Sequence, residues 1–257
     1  MFEKQESPAT RWSARLASFA LVLFLTAALA HRYLALETVA FLWVLGLVGL
    51  LALVALGAAV SGLLALWEHG GNGAGRLIFA IILAALTLAP FGVGLWRMID
   101  YPRLADIATD LVEPPRFRAA AILRDPRANA IGPINGIQAA LIEDTYPQVD
   151  GRRYPLAPDR VLETIQALMA RRGWAIIERR GNWQQDREVT IEALAGSYLL
   201  RLPADVAVRI TDEGETTFVD MRSASHFGAH DLGDNALRIM RFLADLDAMV
   251  AADAAPG

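Results

Sequence analysis

The sequence of 257 residues has no cysteine. That excludes disulfides, thiolate metal sites and a cysteine nucleophile, while leaving the redox compartment open. Basic charge is not in excess either: 24 Lys and Arg against 28 Asp and Glu give a net charge of −4. With no basic stripe and no aromatic–basic interleaving, nothing points to a nucleic-acid partner. Charge of either sign is sparse from Lys4 to Arg97 and becomes ordinary only after Asp100. The G-x-S-x-G elbow of many hydrolases does not occur.

What the chain has instead is apolar length. It is 54% hydrophobic with a mean hydropathy of +0.34, which suggests a membrane protein or a hybrid. Three apolar runs dominate the first hundred residues: Leu16 to Leu36, Thr38 to Trp67 and Leu77 to Trp96. Each reaches the roughly 20 residues that cross a hydrocarbon core, and the second is long enough to tilt. The first reads as a retained span rather than a signal peptide, because no cleavage site leads into a polar start and another span follows at once. Of Trp12, Trp43, Trp67 and Trp96, three sit near span ends, as interfacial anchors do. The joint "WEHGGNGAG" is read as an inter-helix turn, not a phosphate loop, since no strand precedes it. No span has an ionisable residue at mid-membrane, so a transporter or proton relay has no support.

Lys4, Arg11 and Arg15 precede the first span, against Arg32 alone in the joint after it. By the positive-inside rule the N-terminus is cytoplasmic, and three crossings leave the C-terminal domain in the periplasm, on an inner membrane. Arg97 and Arg103, just after the third span, pull the other way. The expected organisation is a transmembrane anchor over residues 1–99, a Pro-rich connector packed on the domain over 100–155, an α+β domain over 156–252 and a disordered tail over 253–257. Within the connector, Ile107, Leu111, Phe117, Ile122 and Leu123 would be a liability in solvent, and "IQAALIEDTYP" suits a short helix.

The domain reads in order. Pro158 and Asp159 open a helix striped by Val161, Leu162, Ile165, Leu168 and Met169 and ended by Gly173. "WAIIER", "EVTIEAL", "SYLLRL", "DVAVRIT" and "TTFVDMR" read as strands, and Asp234 to Ala251 as a closing helix. Sequential strands with short turns imply an antiparallel meander, and two amphipathic helices can cover one face. The expected fold class is therefore α+β: three transmembrane helices, then a two-layer sandwich of about five antiparallel strands and two helices. The turn "DEGE" predicts a register pairing Thr211 with Thr216, Arg209 with Phe218, Ala207 with Asp220 and Asp205 with Arg222. Alternation then puts Asp205, Arg209, Asp220 and Arg222 on the face away from the helices, and Val206, Val208, Ile210, Thr217, Val219 and Met221 towards them.

From Arg222 runs the most polar stretch of the chain, "RSASHFGAHDLGDNALRI". It resembles the signature of the bacterial domain of unknown function 1499 family, matching at Arg222, Ser223, Ser225, Gly228, Asp231, Leu232, Gly233, Asn235, Arg238 and Ile239. "ADVAVRI" is similar to the family's strand at Asp205 and Arg209, and "DIATDLVEPPRF" to a segment of its longer members. His226 stands where the family usually has arginine, and Ala204 where it often has aspartate. The resemblance implies an exported or membrane-tethered domain, and it assigns no established activity.

Four readings compete for the segment. Ser225, His226 and Asp231 have the residue types of a hydrolase triad, but neighbours in one loop seldom meet its geometry. His226, His230 and Asp231 have metal-donor types, without a further ligand of fixed geometry. A structural reading has Asp231 or Asp234 capping the last helix, glycines in turns, serines satisfying loop amides, and Arg238 reaching back to Asp231 or Asp220. An anion-binding reading converges Arg209, Arg222 and Arg238 near a helix N-terminus. The expectation is a membrane-tethered, non-catalytic binding domain for an anionic ligand or lipid headgroup. Its candidate residues are Asp205, Arg209, Asp220, Arg222, Ser223, Ser225, Asp231, Asn235 and Arg238. No metal or cofactor is expected. The partners are the lipid bilayer and an anionic ligand or another membrane protein. The alternatives are a protein-interaction module and a hydrolase-like enzyme.

Overall fold

The computed structural model describes residues 8–33, 36–197 and 200–254. It divides into two compact units, Met1–Trp96 and Arg97–Gly257. Lys4, used for orientation, lies outside the described residues.

The first unit is built on three helices: α1 (Pro8–Arg32), α2 (Thr38–His69) and α3 (Ala74–Asp100), the last continuing into the second unit. Over Thr10–Arg32, Thr38–His69 and Ala74–Asp100 they are long and apolar enough to cross a membrane, which makes this a membrane-anchored protein. Small residues line the inner seam: Ala17, Ala55, Ala59, Ala80 and Ala84, with Leu77, are fully buried. They let backbones approach closely. Gly62 belongs to the same seam, since a β-carbon there would sit 2.9 Å from Leu77 Cδ2. The outward side chains are large and apolar, Trp43, Leu64 and Trp67 among them, the inverse of a water-facing bundle. The first helix stops at Arg32 rather than Leu36. His31 explains the stop: its ring stacks on Phe41 at 4.4 Å, and Nδ1 meets the Leu36 carbonyl at 3.0 Å, folding the joint back. Leu34 and Ala35 lie outside the described residues.

The second unit is an antiparallel sheet with its two long helices on one face. Its elements are β1 (Asp106–Ala108), α4 (Ala119–Leu123), α5 (Gly136–Thr145), β2 (Arg152–Tyr154), α6 (Pro158–Arg171), β3 (Ala175–Gly181), β4 (Glu188–Gly196), β5 (Pro203–Asp212), β6 (Thr217–Ser225) and α7 (Asp234–Ala254). The sheet has six strands in the order β1-β6-β5-β4-β3, with β2 also on β6. The α+β expectation holds, with two changes. Of "SYLLRL", the described residues Ser197, Leu200, Arg201 and Leu202 are not in a strand. β4 and β5 pair directly up to Gly196 and Pro203, and Ser197 N–H donates to the Leu202 carbonyl. Tyr198 and Leu199 lie outside the described residues. The other change is that the connector supplies two strands. β1 and β2 lie end to end along the outer edge of β6, opposite residues 222–224 and 217–219. An edge that would expose unpaired amides is thus covered.

α6 and α7 pack on one sheet face. Val161, Ile165, Met169, Ile239, Phe242 and Leu246 meet Ile191, Val206, Val208, Ile210, Val219 and Met221 in one core. Pro158 occupies the first turn of α6, and Gly173 leaves it with φ +65, as the sequence pattern requires. α7 runs past the expected Ala251 to Ala254; residues 255–257 of the expected disordered tail lie outside the described residues. The connector contributes to both faces: Phe117 is buried with Ala120 against Ala207 and Ala224 on the face opposite α6 and α7, whereas Ile107 is buried in the helix-side core and Leu111 half-buried against it; Ile122 and Leu123 stay exposed, against expectation.

Candidate functional site

β6 sorts the polar segment onto two faces. Val219, Met221, Ser223 and Ser225 point to the helices; Asp220, Arg222 and Ala224 point to the connector. The expected face assignment is correct, but the register is displaced by two residues. The hairpin loop is Glu213–Thr216, so Asp212 pairs with Thr217 and Arg209 lies opposite Asp220. A slip of two preserves every face and changes every partner. Asp205 therefore lies opposite Ala224 and Arg222 opposite Ala207, and the expected Asp205–Arg222 pair is not made.

The connector face is charged and buried. Arg209 donates to Asp220 Oδ2 and to Asp110 Oδ2, both at 2.7 Å. Thr109 donates to Asp220 Oδ1 at 2.8 Å. Arg222 binds both oxygens of Asp106 at 2.9 and 2.7 Å, then the carbonyls of Pro115 and Gly132, while Phe117 stacks 5.1 Å from its guanidinium. Asp205 accepts from Arg124 at 2.8 Å and meets His226 Nε2 at 2.9 Å. Glu192, with Arg180 at 3.5 Å, accepts the amides of Arg118 and Ala120. Burial alone would raise the Asp110 carboxyl; amide donation from Glu113 and Val112 and the Arg209 guanidinium outweigh it and hold it below its ordinary value. The Arg209 guanidinium is held above its ordinary value: burial opposes this, but the bonds to Asp220 and Asp110 prevail.

The helix face carries a neutral knot with one cation. Asn235, fully buried, uses its whole amide. Nδ2 donates to the Ala105 carbonyl and to Ser225 Oγ, both at 3.0 Å, and Oδ1 accepts from Ser223 Oγ at 2.8 Å and Arg238 at 2.6 Å. Arg238 also donates to Ser223 Oγ at 2.8 Å, and burial pushes its guanidinium below its ordinary value. Asp231 starts α7: its two oxygens accept the amides of Gly233 and Asn235. Burial raises its carboxyl despite those bonds. Gly228 and Gly233 take φ +84 and +77, as turn glycines do.

These contacts decide how the segment can act. Asp231 caps α7, as the structural reading expects. Arg238 reaches Ser223 and Asn235 rather than Asp231 or Asp220, and the serines bind Asn235 rather than loop amides. Arg238 and the pair Arg209 and Arg222 lie on opposite faces of the sheet, so the three guanidinium groups do not converge. The triad types are dispersed as well: His226 faces Asp205, Ser225 Oγ faces Asn235, and Asp231 is engaged by amides. His230 lies between the Met98 and Tyr101 carbonyls and the Leu232 amide. Among the described residues, no group of three or more His, Asp or Glu side chains is placed to hold a metal ion.

The sequence reading missed the connector's share: Asp106, Asp110, Arg124 and Asn129 complete the network from 81 to 116 positions away. Asn129 alone donates to the carbonyls of Ser225 and Gly228 and through its own amide to His226. The signal available was the acidic pair in "DIATD", beside a segment already noted. The reading also missed a cavity of about 580 Å³ where the loop 109–112 and the end of α5 meet β6. Asp110, Glu143, Asp150 and Asp220 line it with Leu111, Ile142, Tyr146, Val149 and Phe218.

Comparison with known proteins bears on the same region. Among solved structures, the vertebrate conserved region of human METTL16 is similar at 15% identity, over 42% of this chain and 85% of that one, with a TM-score of 0.30. That score is too low for the likeness to bear on fold or function. No curated protein matches the chain. A family described as "Protein of unknown function (DUF1499)" matches residues 106–246, from β1 into α7 and more than half of the sequence. The match begins at the residue that anchors Arg222, so the connector is part of the family's domain, and the chain belongs to the DUF1499 family.

Proposed function

We propose that this chain is a membrane-tethered, non-catalytic binding protein whose ligand site is the cavity between loop 109–112, α5 and β6. That cavity carries the reading. Its lining holds four carboxylates and no basic residue, beside apolar and aromatic walls. The complementary ligand is a small organic cation, an ammonium or guanidinium on an apolar body. Arg209 already compensates Asp110 and Asp220, so the free charge for recognition is that of Glu143 and Asp150, both exposed at the rim. An anionic ligand finds less support: Arg209 and Arg222 are bound to carboxylates, and Arg238 faces the helices. Nothing in the segment's contacts supports a catalytic step.

The test follows thermal unfolding of the detergent-solubilised full chain with phenethylammonium, spermidine and, as a control of reversed charge, phenylacetate. The ammonium ligands are expected to raise the unfolding midpoint, and a Glu143→Gln, Asp150→Asn double variant to lose most of that rise. A phenylacetate effect as large as the ammonium effect, or no ammonium effect, refutes the reading.

The tether is proposed to sit in the inner membrane with its N-terminus cytoplasmic and the domain periplasmic, supported by Arg11 and Arg15 in the first turns of α1 against Arg32 at its end. With no native cysteine, a Gln185→Cys variant in intact spheroplasts should react with an impermeant maleimide. Reaction only after lysis would reverse the orientation.

A further inference from the structure

The charged face of the sheet holds one small element in place. α4 has five residues, too few for a helix to persist unaided. Side chains from the sheet hold both of its ends. Glu192, 1% exposed, accepts the amides of Arg118 at 2.7 Å and Ala120 at 2.9 Å, one on each oxygen. Arg124, just past the last turn, is bound to buried Asp205. Phe117 and Ala120 are buried against Ala207 and Ala224. With the inner side fixed, the outer side presents Ile122 and Leu123, 79% and 67% exposed. Arg118 lies four residues before Ile122 and so shares its side; Arg116 is exposed beside it. Neither guanidinium has a carboxylate partner among the described residues.

We propose that α4 is a lipid-contact element: Ile122 and Leu123 enter the headgroup boundary of an anionic bilayer, and Arg116 and Arg118 meet the lipid phosphates. Aliphatic tips flanked by cations are what an interfacial segment offers to such a surface. The patch is too small for a specific protein interface, which buries about 800 Å² on each partner. A chain with three helices able to span a membrane also keeps a bilayer near at high effective concentration, so a weak contact suffices. This inference does not depend on the cavity.

The full chain, made with Ala121→Cys and labelled with one fluorophore, is reconstituted in nanodiscs of phosphatidylcholine, with or without phosphatidylglycerol, containing lipids bearing a quencher. A label at Gln185→Cys, in the exposed β3–β4 turn, serves as control. Quenching at position 121 is expected to exceed the control in anionic discs and to fall with added salt. Ile122→Ser with Leu123→Ser should weaken the contact equilibrium by about tenfold or more. Arg116→Gln with Arg118→Gln should weaken it on the order of tenfold. All four positions are exposed, so both variants should keep the parent unfolding midpoint. Quenching no greater than the control, equal quenching in neutral lipid, or quenching unchanged in the serine variant overturns the proposal. So does self-quenching that appears only with two copies in a disc, which would identify α4 as a contact between copies.

Discussion

Arg222 offers the sharpest test of whether the connector is held by the sheet's buried charges. It is 3% exposed and donates to both oxygens of Asp106 and to the carbonyls of Pro115 and Gly132. Arg222→Ala leaves all of these acceptors without that donor and removes a stem packed by Phe117. Breaking one partner out of a buried pair costs about 3–5 kcal/mol. The Asp106 side chain is 20% exposed, so water can partly replace the guanidinium. That favours the lower end, about 3 kcal/mol, or roughly 10²-fold in an opening equilibrium. Hydrogen exchange of the solubilised full chain, read by mass spectrometry on peptides from β5 and β6, isolates this domain from the spans. Exchange there should quicken by roughly that factor. An Arg222→Met, Asp106→Leu double variant should recover much of the loss, since an apolar pair of similar volume carries no stranded charge. Exchange within about threefold of the parent for Arg222→Ala would refute the reasoning and assign the pair to the weak class of surface ion pairs.

Other consequences follow from the same contacts. Asn235→Ala removes the partner of Ala105, Ser223, Ser225 and Arg238 together and should cost about 2–4 kcal/mol by denaturant unfolding of the domain signal; a loss below about 1 kcal/mol would mean the knot is not closed. Gly233→Ala forces a side chain into φ +77 with its β-carbon 2.7 Å from the Tyr101 ring, so the unfolding midpoint should drop by more than the cost of backbone strain, about 1 kcal/mol. Asp110, held below its ordinary value although burial opposes this, contributes stability that is present above the unfolded carboxyl value and lost as pH falls through the folded one. Asp110→Asn should therefore flatten the acid limb of a stability–pH curve below about pH 4. Asp231, raised by burial, contributes with the opposite sign and is unaffected by that variant.

The sequence made period and punctuation legible, but not long-range pairing. α6 is written in its apolar stripe, in Pro158 and in Gly173, so both its face and its ends could be read. The faces of β5 and β6 were legible too, because alternation of Val206, Val208 and Ile210 admits only one orientation towards a core. The register was not. "DEGE" accommodates two loops of equal parity that differ by two residues, and alternation cannot tell them apart. β1 and β2, at three residues each, are too short for any period to appear. The connector partners of Asp205 and Arg222, Arg124 and Asp106, lie 81 and 116 residues away, where no local pattern reaches. Around Ser197 and Leu202 the reading misled because apolar content suits a strand as well as a loop, and only the completed pairing of β4 with β5 decides between them.

β1 lies only a few residues beyond the last apolar helix, yet its neighbour in the sheet is β6, near the other end of the domain. The first strand made is thus among the last to be seated, and more than a hundred residues must be synthesised before it has anything to pair with. Until then Ile107 and Phe117 remain in open water. Such a topology favours slow, all-or-none acquisition of structure. A ribosome stalled ahead of Arg222 would leave a fully inserted anchor trailing an unfolded, protease-sensitive chain.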